Sequence, residues 1–141
     1  MPYKFSDQNT TADVGIIVTG ESIEELFADA AIGMTEIVVE LDNLKKRREI
    51  TVEIETDNAE QLFFDWLSEI IYLKDAESFL LKECLLEIVY GERIKLKAEL
   101  SGDIIDPDRH MLKVDVKGVT LYRLKVEKIN DHWQGEAVFD L

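Results

Sequence analysis

Apolar residues recur every three or four positions through Ile23, Leu26, Phe27, Ala30, Ala31, Met34, Ile37, Val38 and Leu41, which is one face of an amphipathic helix. Ser22 precedes this stripe with Glu25 three places on, a capping-box spacing that satisfies orphan N–H groups at a helix start. A second stripe, Leu62, Phe63, Trp66, Leu67, Ile70 and Ile71, follows Asn58 as its cap and ends near Lys74. Between the stripes Ile50, Val52 and Ile54 alternate with Glu49, Thr51, Glu53 and Glu55, the pattern of a strand with one face in water. Residues 3–6 and 14–19 predict a hairpin through the polar turn 9–12, and residues 79–90 and 94–100 predict two strands joined at Gly91. Residues 101–111 read as a loop by their Gly, Asp and Pro content; 117–126 and 133–141 read as two closing strands around a turn at Asn130 and Asp131. The sum is α+β: two helices and about seven strands, mostly antiparallel, with the helices covering one face of a sheet.

The two helical segments resemble each other at a constant offset of 36, with Ser22, Glu24, Leu26, Phe27 and Asp29 matching Asn58, Glu60, Leu62, Phe63 and Asp65. This hints at an internal duplication. A chain of 141 residues, 46% hydrophobic, is ordinary for one domain over residues 1–141.

Charge changes the picture more than size does. Thirty acidic against sixteen basic side chains leave a net charge of −14. The longest basic run, Lys45, Lys46, Arg47 and Arg48, reads as a connection between a helix and a strand. Direct nucleic-acid binding is not expected, because its nonspecific part comes from neutralising phosphates. The single Cys84 permits no internal disulfide and fits a reducing cytoplasm, with a buried thiol expected beside Leu85 and Leu86. No secretory leader is read at the start of the chain, and charges interrupt every apolar run before a membrane span is reached, so no membrane association is expected.

Candidate chemistry begins with Asp13, an acid placed where the chain enters a run of β-formers; such a carboxylate must be solvated, capped by backbone donors or bound to a cation. The far end of the chain repeats the motif, with Asp140 and then Leu141 closing a second β-like run. Gly-rich phosphate loops, HExxH, CxxC and GxSxG are all absent, which weakens enzyme readings. His132 lies in a polar turn, whereas His110 follows Asp106, Pro107, Asp108 and Arg109, carboxylates that could orient it. Lys117 places an ammonium between Val116 and Gly118, as a surface lysine or a functional one.

Thr11-Ala12-Asp13-Val14-Gly15, Leu26-Phe27 with Ala30-Ala31, Asp65-Trp66-Leu67-Ser68-Glu69, the loop from Gly102 to His110, Lys117-Gly118-Val119-Thr120 and the closing Phe139-Asp140 together resemble the archease family. The resemblance spans nearly the whole chain. It implies an accessory protein, not an enzyme, that activates the GTP-dependent tRNA-splicing RNA ligase by promoting its guanylylation and multiple turnover. It places the activating residues at Asp13, Lys117, Asp140 and His110. It also implies a divalent cation on Asp13, Asp140 and Leu141, calcium foremost; an all-oxygen site suits calcium, magnesium or manganese better than zinc. The family often has histidine where this chain has Thr10 and Tyr122. Two other classes stand beside this reading. A general chaperone or protein-binding module would need an exposed apolar patch, and the stripes and alternations account for the apolar positions. A small metal-dependent hydrolase would need a base or nucleophile beside the two carboxylates.

Overall fold

The computed structural model describes residues 2–6 and 13–141. The chain runs through β1 (Tyr3–Ser6), β2 (Asp13–Gly20), α1 (Ile23–Val38), a 3-10 turn (Leu41–Asn43), β3 (Arg48–Thr56), α2 (Ala59–Glu77) and β4 (Phe79–Tyr90). It closes with β5 (Ile94–Ile104), β6 (Gly118–Val119), β7 (Lys125–Ile129) and β8 (His132–Asp140). One sheet has the order β1-β2-β8-β6, with β7 also on β8; the other has the order β3-β5-β4, and every described pairing is antiparallel.

Both helices begin as their caps dictate. Ser22 Oγ accepts from Glu25 N at 3.1 Å, and Asn58 Oδ1 from Gln61 N at 2.9 Å. Each helix packs against strands of both sheets, so the core lies around the helices, from Ile16 and Val18 through Leu26, Phe27, Leu62, Phe63 and Leu67 to Leu80, Leu96 and Leu100. Trp66 Nε1–H donates to the Phe27 carbonyl at 2.9 Å, so the buried indole is satisfied while it joins the helices. Gly33 lets α1 come down on the first sheet: a Cβ there would stand 2.4 Å from Ile16 Cδ1.

The antiparallel α+β architecture with two helices agrees with the sequence reading. Six details differ. The helices divide two sheets rather than cover one, α1 ends before Leu41, and α2 runs beyond Lys74 to Glu77. Residues 101–104 continue β5, so the irregular stretch is 105–117. The expected strand over 117–126 is two short strands around a turn in which Arg123 takes a φ of 58°. The N-terminal hairpin forms with Ser6 opposite Gly15, while its turn, including Thr10, Thr11 and Ala12, lies outside the described residues. Cys84 is only half-buried and Leu85 beside it is exposed, yet burial still pushes the thiol up to about 12, far from nucleophilic use at neutral pH.

Candidate functional site

β2 and β8 run antiparallel with Asp13 directly opposite Asp140, and on the other side of β8, Gly118 of β6 pairs with the same Asp140. The Asp140 carbonyl accepts from Lys117 N at 2.8 Å, so the backbone polar groups of Asp140 face β6. Toward β2 the pair is therefore of the non-hydrogen-bonded kind, in which the two Cα atoms stand about 4.5 Å apart and the side chains share one face. Two carboxylates 127 positions apart in sequence thus meet at one end of a sheet (140 − 13). Asp140 is exposed and Asp13 half-exposed. Beside them a Cβ on Gly118 would meet nothing within 4 Å, so the third strand leaves open room at this end.

Lys117 arrives at the same end of the sheet through its backbone bond to Asp140. Its side chain is exposed and forms no ion pair among the described residues, although acids outnumber bases nearly two to one. Leu141 packs its side chain partly onto the core directly after Asp140.

His110 goes elsewhere. Its side chain is fully buried, with Nδ1 accepting the Asp106 backbone N–H at 3.0 Å and Nε2 3.0 Å from Asp103 Oδ2. An acceptor role at Nδ1 puts the proton of the neutral ring on Nε2, which donates to Asp103. Asp103, also fully buried, takes further bonds from Lys45 N at 3.0 Å, Ile104 N at 2.8 Å, Arg47 Nε at 3.1 Å and Arg109 Nη2 at 3.3 Å. Burial opposes ionisation there, but the two backbone N–H groups and His110 outweigh it and hold the carboxyl down to about 2. His110 is thus a pin for the 105–117 segment, not a member of the exposed acid site. Sequence reading places Asp103 in the 101–111 loop, where nothing marks it as buried; in the structure it lies near the end of β5 with Lys45, Arg47, Arg109 and His110 around its carboxylate. His132, the other histidine, opens β8 with its side chain partly exposed.

Among the described residues no cluster of three or more His, Cys, Asp or Glu could hold a metal by itself. Two carboxylates on one face with open space alongside do fit part of the oxygen shell of a hard cation, whose six to eight ligands would be completed from outside.

The Archease protein family matches residues 3–141. The protein archease of Archaeoglobus fulgidus is 33% identical over 141 residues, covering 100% of both chains. That of Pyrococcus abyssi is 33% identical over 133 residues, 93% of this chain and 94% of its own. A Methanobacterium thermoautotrophicum protein solved in solution superposes with a TM-score of 0.82 at 24% identity, over 99% of each chain. The crystal structure of a Thermotoga maritima archease, described as a possible chaperone, gives 0.64 at 22% identity over 96% of each. At those identities the solved structures speak for the fold alone.

Proposed function

The chain belongs to the archease family, and on that premise we propose that it is an accessory protein that activates a GTP-dependent tRNA-splicing RNA ligase by promoting guanylylation and multiple turnover. The observation that carries this reading is the pairing of Asp13 with Asp140 beside Lys117, which forms no ion pair among the described residues. Opposed like charges on neighbouring strands cost stability, so an arrangement that leaves Asp140 exposed and Asp13 half-exposed makes sense as something presented to a partner. No described histidine or cysteine joins the pair as base or nucleophile, which favours presentation over catalysis by this chain.

In this reading Asp13 and Asp140 hold a divalent cation, calcium foremost and magnesium or manganese as alternatives, with an oxygen of Leu141 next in line. A bound cation neutralises the two carboxylates and offers the partner a hard, oxygen-loving centre. Lys117 is free to reach an anionic group on the ligase or its nucleotide. His110 contributes by fixing the segment that ends in Lys117. A cytoplasmic setting suits the single free thiol.

The test is ligation turnover with this protein in substoichiometric amount. Asp13→Ala and Asp140→Ala should each abolish the acceleration with the fold intact, and Asp13→Ala should weaken calcium binding in calorimetry. Parent-like activation and calcium binding by Asp13→Ala would overturn the reading. A chaperone reading draws support from one finding against expectation: Met111, Leu112, Val114, Leu121 and Tyr122 are exposed, apolar positions that no helix stripe or sheet face absorbs. Suppression of a model protein's aggregation would mark that alternative.

A further inference from the structure

Two exposed apolar patches flank Lys117, the neighbour of the acid site, along one stretch of chain. Met111, at 65% exposure, Leu112 and Val114 precede Lys117; Leu121, at 71%, and Tyr122, at 59%, follow it. Neither patch is a loose tip. The first runs beside the end of α1, with Glu40 N donating to the Met111 carbonyl at 2.9 Å, Lys113 N to that of Val38 at 2.7 Å and an isolated bridge between Val39 and Leu112. The second is held by Thr120 N on the Val138 carbonyl at 2.9 Å and by Tyr122 N on Thr120 Oγ1 at 3.3 Å. Arg123 lies over the Tyr122 ring at 5.4 Å, so the aromatic is pre-positioned although it faces water. An open groove of ≈ 400 Å³ is lined by Leu112 and Val114 together with Val38, Lys74 and Asp115. Val114 and Leu121 stand three and four residues from Lys117, within about 10 to 14 Å even for a fully extended chain. Fixed backbone, exposed aliphatic and aromatic side chains and an arginine form the composition of an interface centre.

We propose that Met111, Leu112, Val114, Leu121, Tyr122 and Arg123 form the docking surface for the ligase, gripping the rim of its phosphate-binding cleft on either side of Lys117. This rests on the function proposed above and names the surface through which it works. Charge complementarity chooses the occupant. Whatever covers both patches approaches a chain with a net charge of −14, an excess that one bound divalent cation does not cancel, so charge complementarity selects a partner of positive potential. An enzyme that joins RNA ends carries such a positive surface, because it neutralises phosphates. A second copy of this chain would set acid against acid, and an unfolded polypeptide offers no fixed positive centre.

Binding and activation of the ligase are measured for the parent, for Leu121→Ser/Tyr122→Ser, for Met111→Ser/Val114→Ser, and for Asp13→Asn/Asp140→Asn, after thermal unfolding confirms that each variant folds. Each strip variant should raise Kd by about tenfold or more, as loss of interface anchors does. It should raise the concentration for half-maximal activation in parallel and still reach the parent's maximal turnover at saturation. The acid-pair variant should bind and fail to activate. Strip variants that bind and activate like the parent would overturn the docking surface while leaving the proposed function standing. Strip-dependent binding by a parent that never activates would reverse that outcome. Loss of aggregation suppression in the strip variants, with ligase binding unchanged, would replace the occupant by unfolded chains and overturn the proposal.

Discussion

Asp13 and Asp140 are a pairing that folding alone would select against. Unit charges about 5 Å apart at an effective dielectric of about 20 repel by roughly 3 kcal/mol, and solvent at this exposed edge reduces that to about 1 kcal/mol or less. Asp140→Asn should therefore leave the unfolding free energy unchanged or raise it by up to about 1 kcal/mol, read by urea denaturation, while activation is lost. A fall in stability would show that the pair serves the fold. Asp103 is a buried carboxylate surrounded by donors. Its folded pKa of about 2 lies below the ordinary carboxylate value, so its ionised form stabilises the native state above about pH 4. That contribution is lost as pH falls toward about 2. Asp103→Asn should cost about 3 kcal/mol at neutral pH, because it removes the charge that Arg47, Arg109 and His110 face. The gap between variant and parent should narrow between about pH 4 and about 2 in acid titrations followed by circular dichroism. A gap that stays constant with pH would refute the assignment.

At the scale of elements, the two matched helices do the same work in opposite directions. Glu24, in the first turn of α1, accepts the N–H of Ile88 on β4 at 3.3 Å; Glu60, 36 positions on, accepts that of Val126 on β7 at 3.2 Å. β4 and β7 are edge strands, so each helix caps an edge donor of the sheet that its own preceding strand does not belong to. Glu24→Ala and Glu60→Ala should each cost about 1 to 2 kcal/mol in denaturant unfolding, more than a surface glutamate would. The helices, their caps and the alternating strands were legible in sequence because each is a local pattern with a local cause. The segment between 105 and 124 was not. Leu121 and Tyr122 continue an apolar alternation, but a positive φ at Arg123 breaks the strand, and only the fold shows these side chains without cover. The same limit applies to the site. Asp13 stood out as an acid at a strand start, yet register alone brings it to Asp140, and the sequence pointed there through family resemblance rather than through any period. His110 joins the expected site through family resemblance and its neighbouring carboxylates; its burial against Asp103, seven residues upstream, leaves no mark in the pattern.

Across the whole molecule a net charge of −14 decides how the proposed ligase activator would meet RNA and its partner. Among the described residues the basic side chains form no free phosphate-binding stripe. Within the run that begins at Lys45, Lys46 pairs with Glu83, Arg47 with Asp103 and Arg48 with Glu77; elsewhere Arg93 pairs with Asp57, and Arg109 with Asp103 and Asp106. Counterion release, the main source of RNA affinity, has little to draw on here. The same excess of acid is an advantage toward a basic protein, since opposite potentials raise association rates well above the neutral case and salt removes the gain. Three outcomes should go together. The isolated protein should show no sub-micromolar RNA complex at physiological salt. Its association rate with the ligase should fall steeply as the Debye length shrinks from about 30 Å at 0.01 M to about 8 Å at 0.15 M, while dissociation changes much less. Asp13→Asn/Asp140→Asn should flatten that dependence only slightly, because it removes two of thirty acidic groups. A rate indifferent to salt, measured by stopped flow, would mean that the apolar contacts alone guide the encounter and that the charge serves solubility instead.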